Sequence, residues 1–271
     1  MELTEKKILV EGNEVSYLDE GTGKLTIVFI HGFPFDKWMW GNQLRAFRNE
    51  YRVIAYDVRG HGKTPGNSVD FSIPQFTNDL FAFLDHLRID KVIICGLSMG
   101  GYIALHAVEQ HSDRIEGLIL ADTQCAADTE EARTKRMKTI ESIKEKGLQD
   151  YASESVKNLF APSSIEKEIA EVGLIKKTIL NTKAENVCKT LMALASRREK
   201  CTVIENMKTP TLILVGSEDK ITPLAAATKM HNLISNSTLH LIPEAGHVSN
   251  LENPDEFNGQ LKTFLRSIKN K

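Results

Sequence analysis

The sequence predicts an α/β fold: a mostly parallel, twisted sheet with helices on both faces and an inserted helical lid. Three observations predict it. Short runs rich in Val and Ile recur along the 271 residues. They are continuous in apolar character, as strands covered on both faces are. Helical patterns separate them, and that alternation implies parallel strands joined by crossover helices. One long segment, from about Thr123 to Lys208, carries no strand pattern at all.

The chain opens as a hairpin. Ile8-Leu9-Val10 and Val15-Ser16-Tyr17-Leu18 flank Glu11-Gly12-Asn13-Glu14, a turn signal. Strand-like runs follow at 26–30, 53–56, 92–95, 117–121, 211–215 and 238–242. Helices are expected over 38–48, 99–111, 223–234 and 254–269. Ile73 to Leu87 is a further one, with Phe76, Leu80, Phe83, Leu84 and Leu87 at helical spacing. Between Thr123 and Lys208 the composition shifts to Lys, Glu, Ala and Thr, as amphipathic helices require. The expected division is therefore a core of 1–122 and 209–271, with a helical cap over 123–208. A cap there suits a ligand site at the carboxyl edge of the sheet.

Apolar residues make up 41% of the chain, which is globular and not disordered composition. Lys plus Arg number 34 against 36 Asp plus Glu, a balance that speaks against a nucleic-acid partner. No apolar run reaches the ~20 residues of a membrane helix, and the charged N-terminus lacks a signal-peptide core. Cys95, Cys125, Cys188 and Cys201 form no CxxC pair and no cluster with zinc-ligand spacing. They are expected to be isolated reduced thiols in a cytoplasmic protein.

The chemistry centres on Cys95-Gly96-Leu97-Ser98-Met99-Gly100-Gly101. A GxSxG match arises by chance roughly 0.1 times in a chain this size, so its setting has to decide. An apolar run precedes it and a helical pattern follows. Strand-turn-helix is the setting in which a serine is forced out of the sheet edge as a nucleophile. Neighbours two residues away must be almost free of side chain, and Gly96 and Gly100 are. The alternative is a plain glycine-rich turn. No GK[ST] follows, so a phosphate loop of that kind is absent.

A serine needs a base, and the base needs an orienting acid. His247, in Pro243-Glu244-Ala245-Gly246-His247, follows the last strand on the same edge as Ser98. His86, His106, His111 and His231 fall on helices, and His240 falls within a strand. Asp219, in Gly216-Ser217-Glu218-Asp219, completes the order nucleophile, acid, base that this architecture uses. Asp122 is the competitor, at the end of a neighbouring strand, and Glu218 is expected to point elsewhere. The loop His31-Gly32-Phe33-Pro34 would give the Phe33 N–H to an oxyanion, with the Met99 N–H as the second donor. Pro34 has no N–H to give.

With these pieces in order the chain resembles the α/β-hydrolase superfamily. The resemblance runs from about Val15 to Leu265. It rests on HGFP (31–34), DVRGHGKT (57–64), GLSMGG (96–101), GSEDKITP (216–223) and AGHVSNLENP (245–254). Within the superfamily it is similar to the capped carboxylesterase, perhydrolase and enol-lactone hydrolase branch. Ser98 stands where haloalkane dehalogenases and epoxide hydrolases carry Asp, and HGGG is absent from the oxyanion loop. The resemblance implies Ser98, Asp219 and His247 as catalytic residues, no cofactor, no metal, and a small ester or lactone substrate. It gives the Asp57–Gly62 loop a structural role only. Phe33, Phe35, Trp38, Trp40 and Met99 are expected near an apolar substrate pocket. Perhydrolase or lactonase chemistry with the same residues is an alternative. A ligand receptor built on the same scaffold is the alternative from outside the enzymes.

Overall fold

The computed structural model describes residues 2–66 and 71–269. The first half runs β1 (Glu5–Val10), β2 (Asn13–Glu20), β3 (Thr26–Ile30), α1 (Gly41–Phe47), β4 (Arg52–Tyr56), α2 (Ile73–His86), β5 (Val92–Leu97), α3 (Met99–His111) and β6 (Ile115–Ala121). Six helices then come without a strand among the described residues. They are α4 (Glu130–Lys146), α5 (Gln149–Leu159), α6 (Pro162–Glu166), α7 (Ala170–Asn181), α8 (Ala184–Ala195) and α9 (Cys201–Ile204). β7 (Thr211–Gly216), α10 (Leu224–Leu233), β8 (Ser237–Ile242), α11 (Ser249–Glu252) and α12 (Pro254–Lys269) finish the chain.

The eight strands form one sheet in the order β1-β2-β4-β3-β5-β6-β7-β8. β1 and β2 pair antiparallel, as do β2 and β4, and every later pair is parallel. Successive residues of a strand face opposite sides of a sheet. So Val28 and Ile30 join one core layer, while Ile27 and Phe29 join the other. The first layer holds Phe76 and Leu80 of α2, Ile103 of α3 and Met230 of α10. The second holds Leu44 of α1 with Phe257 and Leu261 of α12. Continuous apolar strands therefore have helices on both sides to cover them.

Register decides where the chemistry can occur. Ile30 pairs with Gly96, Gly96 with Leu120, and Gly216 with Ile242. The loops after β3, β5, β6, β7 and β8 thus emerge along one edge. That edge carries His31, Ser98, Asp122, Asp219 and His247.

Two expectations are corrected. The segment 38–48 is a short 3₁₀ turn, Lys37–Trp40, followed by α1, because Asp36 caps the turn by accepting the Trp38 N–H. Four isolated thiols are not what the fold builds. Cys125 and Cys201 form a disulfide, and only Cys95 and Cys188 are free. The pair lies at the neck of the inserted helices, just after β6 and at the start of α9. The Lys200 N–H donates to the Cys125 carbonyl at 2.8 Å, which sets the two segments side by side. The pairing withdraws the cysteine argument for a reducing compartment. Among the described residues no helix is long and apolar enough to cross a membrane.

Candidate active site

β5 ends at Leu97 and α3 begins at Met99, so Ser98 is the whole turn. Its φ of 53° lies in the left-handed region, which costs a residue with a Cβ roughly 1 kcal/mol or more. Close packing holds it there. A Cβ on Gly100 would collide with the Ile30 carbonyl, and one on Gly96 with the Gly100 carbonyl. The Thr123 hydroxyl donates to the Ser98 carbonyl at 2.8 Å.

Ser98 Oγ lies 2.8 Å from His247 Nε2, and His247 Nδ1 lies 2.9 Å from Asp219 Oδ2. All three side chains are buried. Asp219 is fully committed: Ile221 and Thr222 donate their N–H groups to Oδ1, and the Thr222 hydroxyl donates to Oδ2 at 2.7 Å. Burial alone would raise its pKa. The charge and hydrogen bond of His247, with the Thr222 donors, hold it below the usual carboxylate range. Burial alone would lower His247. The charge and hydrogen bond of Asp219, with the charges of Asp122 and Glu252, hold it above its ordinary value.

Asp122 has different work. Its carboxylate accepts the Gly216 N–H at 2.8 Å and the Ser249 hydroxyl at 2.5 Å. It ties the β7 loop to α11 and does not bond His247. Burial and the nearby Asp219 charge push its pKa up. Glu218 is exposed and takes no part.

His31 is fully buried between two loops. The Val58 N–H donates to its Nε2 at 2.9 Å, so the proton sits on Nδ1, which donates to the Gly32 carbonyl at 2.7 Å. Burial lowers its pKa to about 4 and keeps it neutral. It thereby fixes the loop carrying Phe33. Among the described residues no turn carbonyl or side chain takes the N–H of Phe33 or of Met99. In the 57–62 loop, Asp57 is an anchor that accepts from the Lys37 N–H, the Lys37 ammonium and the Lys63 N–H.

A cleft of about 450 Å³ opens over Ser98 and His247. Its core side is Phe33, Pro34 and Ile221. Its other wall belongs to the inserted helices, with Arg136 and Thr139 of α4 and Tyr151 and Asn158 of α5. Of the expected pocket residues Phe33 lines it, whereas Phe35, Trp38, Trp40 and Met99 do not. Phe35 is 0% exposed, packed beneath the loop in the layer that holds Trp40. Trp38 is 37% exposed and sits on the outer surface, with the Lys37 ammonium 5.8 Å from its ring. Trp40 stacks between Phe29 and Phe257 in the core. Adjacency to the oxyanion loop in sequence does not fix which way each ring turns.

Sequence reasoning also missed residues. Thr222 is one; its signal was the spacing of a hydroxyl three residues after Asp219, the pattern of a capping turn. Glu252 is another. It accepts the Gly246 N–H at 2.7 Å and the Ala161 N–H at 2.8 Å. The His247 N–H donates to the Leu159 carbonyl at 2.7 Å. The histidine loop is thus bonded to the inserted helices. Among the described residues Cys125, Glu199 and Cys201 bring three ligand-type atoms within 4.8 Å of one another. Both sulfurs are spent in the disulfide, so no thiolate is left there for a metal.

Known proteins share this frame. The chain is 31% identical to 3-oxoadipate enol-lactonase 1 of Acinetobacter baylyi, over 89% of each chain. A thermophilic esterase from Thermogutta terrifontis, with malate bound, superposes with a TM-score of 0.92 at 31% identity, covering 98% of this chain and 99% of that one. The enol-lactonase from Burkholderia xenovorans superposes with a TM-score of 0.90 at 26% identity, covering 96% of this chain and all of that one. The family model described as serine aminopeptidase, S33, matches residues 22–253. The chain is therefore an α/β-hydrolase and belongs to that hydrolase family.

Proposed function

We propose that the chain is a serine hydrolase that cleaves small carboxylic esters through an acyl-enzyme on Ser98. The observation that carries this is the unbroken line of hydrogen bonds from Ser98 Oγ through His247 to Asp219. Ser98 Oγ attacks the ester carbonyl while His247 Nε2 takes its proton. The N–H groups of Phe33 and Met99 receive the oxyanion. His247 returns the proton to the departing alkoxide, and the alcohol leaves. Water, deprotonated by the same nitrogen, then attacks the acyl carbon and frees the acid and Ser98. Asp219 keeps the proton of neutral His247 on Nδ1 and stabilises the imidazolium. The helices of 123–208 act as a lid that walls the cleft and restricts water. Lactone opening by the same steps is the second reading. Two enol-lactonases among the relatives favour it.

A panel of p-nitrophenyl esters and small lactones tests this, with a fluorophosphonate as active-serine probe. Ester turnover and a label on Ser98 are expected. No turnover of any ester or lactone, together with no label on Ser98, overturns the proposal.

A further inference from the structure

A second cavity, of about 550 Å³, lies behind the cleft, between α2, α3 and the neck of the inserted helices. Tyr102 and Gln124 belong to the walls of both spaces. Tyr102 sits on α3 one helical turn after Ser98, and it is 7% exposed. Its ring is therefore a partition with a void on each side.

The partition is clamped. The Arg197 guanidinium lies 4.3 Å from the centre of the Tyr102 ring, a cation–π stack. Arg197 comes from the far end of the insertion and is only 5% exposed. It donates to the Asp128 carboxylate, to the Leu194 carbonyl at 2.9 Å and to the Ala126 carbonyl at 3.2 Å. Asp128 is held in turn by Arg136 Nε at 2.6 Å. Burial would raise the Asp128 pKa, but the two arginines override that and keep it ionised. A buried arginine fixed by one carboxylate and two carbonyls has little freedom to swing off the ring.

Of the two halves of an ester, the acyl half stays bonded to the nucleophile. Its chain must run out from Ser98 along the cleft floor, and Tyr102 is the next turn of that floor. We propose that Tyr102, clamped by Arg197, sets the length of acyl chain that the cleft accepts. While the ring is in place, an acyl chain cannot pass from the cleft into the space behind it. This rests on Ser98 acting as the nucleophile of an ester hydrolase. The substrate class it names is esters of short acyl groups. Among polar residues, that space offers Ile73, Leu105, Ala126, Ala193 and Val203 to a longer acyl chain, and each methylene buried against them adds binding.

The test is the ratio of kcat/KM for p-nitrophenyl octanoate to that for the butyrate. Wild type favours butyrate. Tyr102→Ala joins the two spaces and raises the ratio at least tenfold. Tyr102→Phe, which keeps the ring, leaves it as in wild type. Ser196→Trp places bulk in the second cavity; alone it leaves butyrate turnover unchanged, and combined with Tyr102→Ala it cancels the gain. Arg197→Met frees the ring and gives a smaller rise, carried by KM for octanoate, and Arg197→Lys restores much of the wild-type ratio. If Tyr102→Ala does not fold, Tyr102→Leu carries the same comparison. A ratio within twofold of wild type in a variant whose Ser98 still takes a fluorophosphonate overturns the proposal. So does a wild type that prefers octanoate. Failure of the ester reading shows separately, as a wild-type chain that neither cleaves butyrate nor takes the label, and this proposal falls with it.

Discussion

Removing the Ser98 hydroxyl takes away the atom that would form the acyl bond and nothing that the fold uses. Its side chain bonds His247, while its backbone makes the turn. Ser98→Ala is expected to lower kcat about a million-fold and leave the melting temperature nearly unchanged. Turnover near wild type, or a large loss of stability, would refute that. Asp219→Asn should cost about 10⁴-fold, because the amide can no longer hold the required histidine tautomer or offset its charge. pH supplies an independent check. His247 must be neutral to take a proton, so kcat/KM rises with pH through its ionisation. Asp219, Asp122 and Glu252 hold that ionisation above the ordinary 6.5, against the burial that opposes them. The wild-type inflection is expected above pH 6.5, and Asp219→Asn should move it down. An inflection unmoved in the variant would mean that the carboxylate does not govern the base.

At the scale of elements, two joints matter: the β5–α3 turn and the α5–α11 contact. A Cβ on Gly100 meets backbone and not a flexible side chain. Gly100→Ala is therefore expected to destabilise by several kcal/mol and to displace Ser98, read as a loss of both melting temperature and labelling rate. The second joint is Glu252, which receives two N–H donors, one from the histidine loop and one from the segment after α5. Glu252→Ala leaves both donors buried without acceptors, at about 1–3 kcal/mol each. Turnover should fall about tenfold with Ser98 still labelled; unchanged turnover would make the tether irrelevant to the site. How legible these joints were follows from what each depends on. The runs at 26–30, 53–56, 92–95, 117–121, 211–215 and 238–242 lie within β3 to β8; those of β3 to β7 are apolar because both faces are covered, whereas β8 is an edge strand left largely exposed. Ser98 and His247 could be placed on one edge because both follow strands. Glu252 could not, because its two N–H donors come from the segment after α5 and from the histidine loop, ninety-one and six residues away. The side-chain directions of Phe35 and Trp38 depend on packing beneath the loop and carry no periodic signal.

For the molecule as a whole, the question is what keeps the inserted helices seated on the sheet. Their wall completes the cleft, and Leu159 and Glu252 bond them to the histidine loop. Arg197 joins them to Tyr102 of the core. The covalent restraint is Cys125–Cys201, which closes a stretch of 76 residues holding α4 through α8. No local pattern in the sequence announces this pair. It exists because the segment leading into α9 runs back beside the one leaving β6, where the Lys200 N–H donates to the Cys125 carbonyl at 2.8 Å. In the chain-entropy account, closing a loop of that length restrains the unfolded chain by about 4.5 kcal/mol, and 2–4 kcal/mol is typical. For a chain of this size that is about 5–15 °C in melting temperature. Reduction, or the double change Cys125→Ser with Cys201→Ser, is expected to produce that shift. Hydrogen exchange should quicken first in α4 to α8 and last in β3, β5 and β6, because the bond restrains the insertion and not the sheet. Thiol titration must show two more free sulfhydryls after reduction. If they appear while both the melting temperature and the exchange of α4 to α8 stay the same, hydrogen bonds and packing alone seat the insertion.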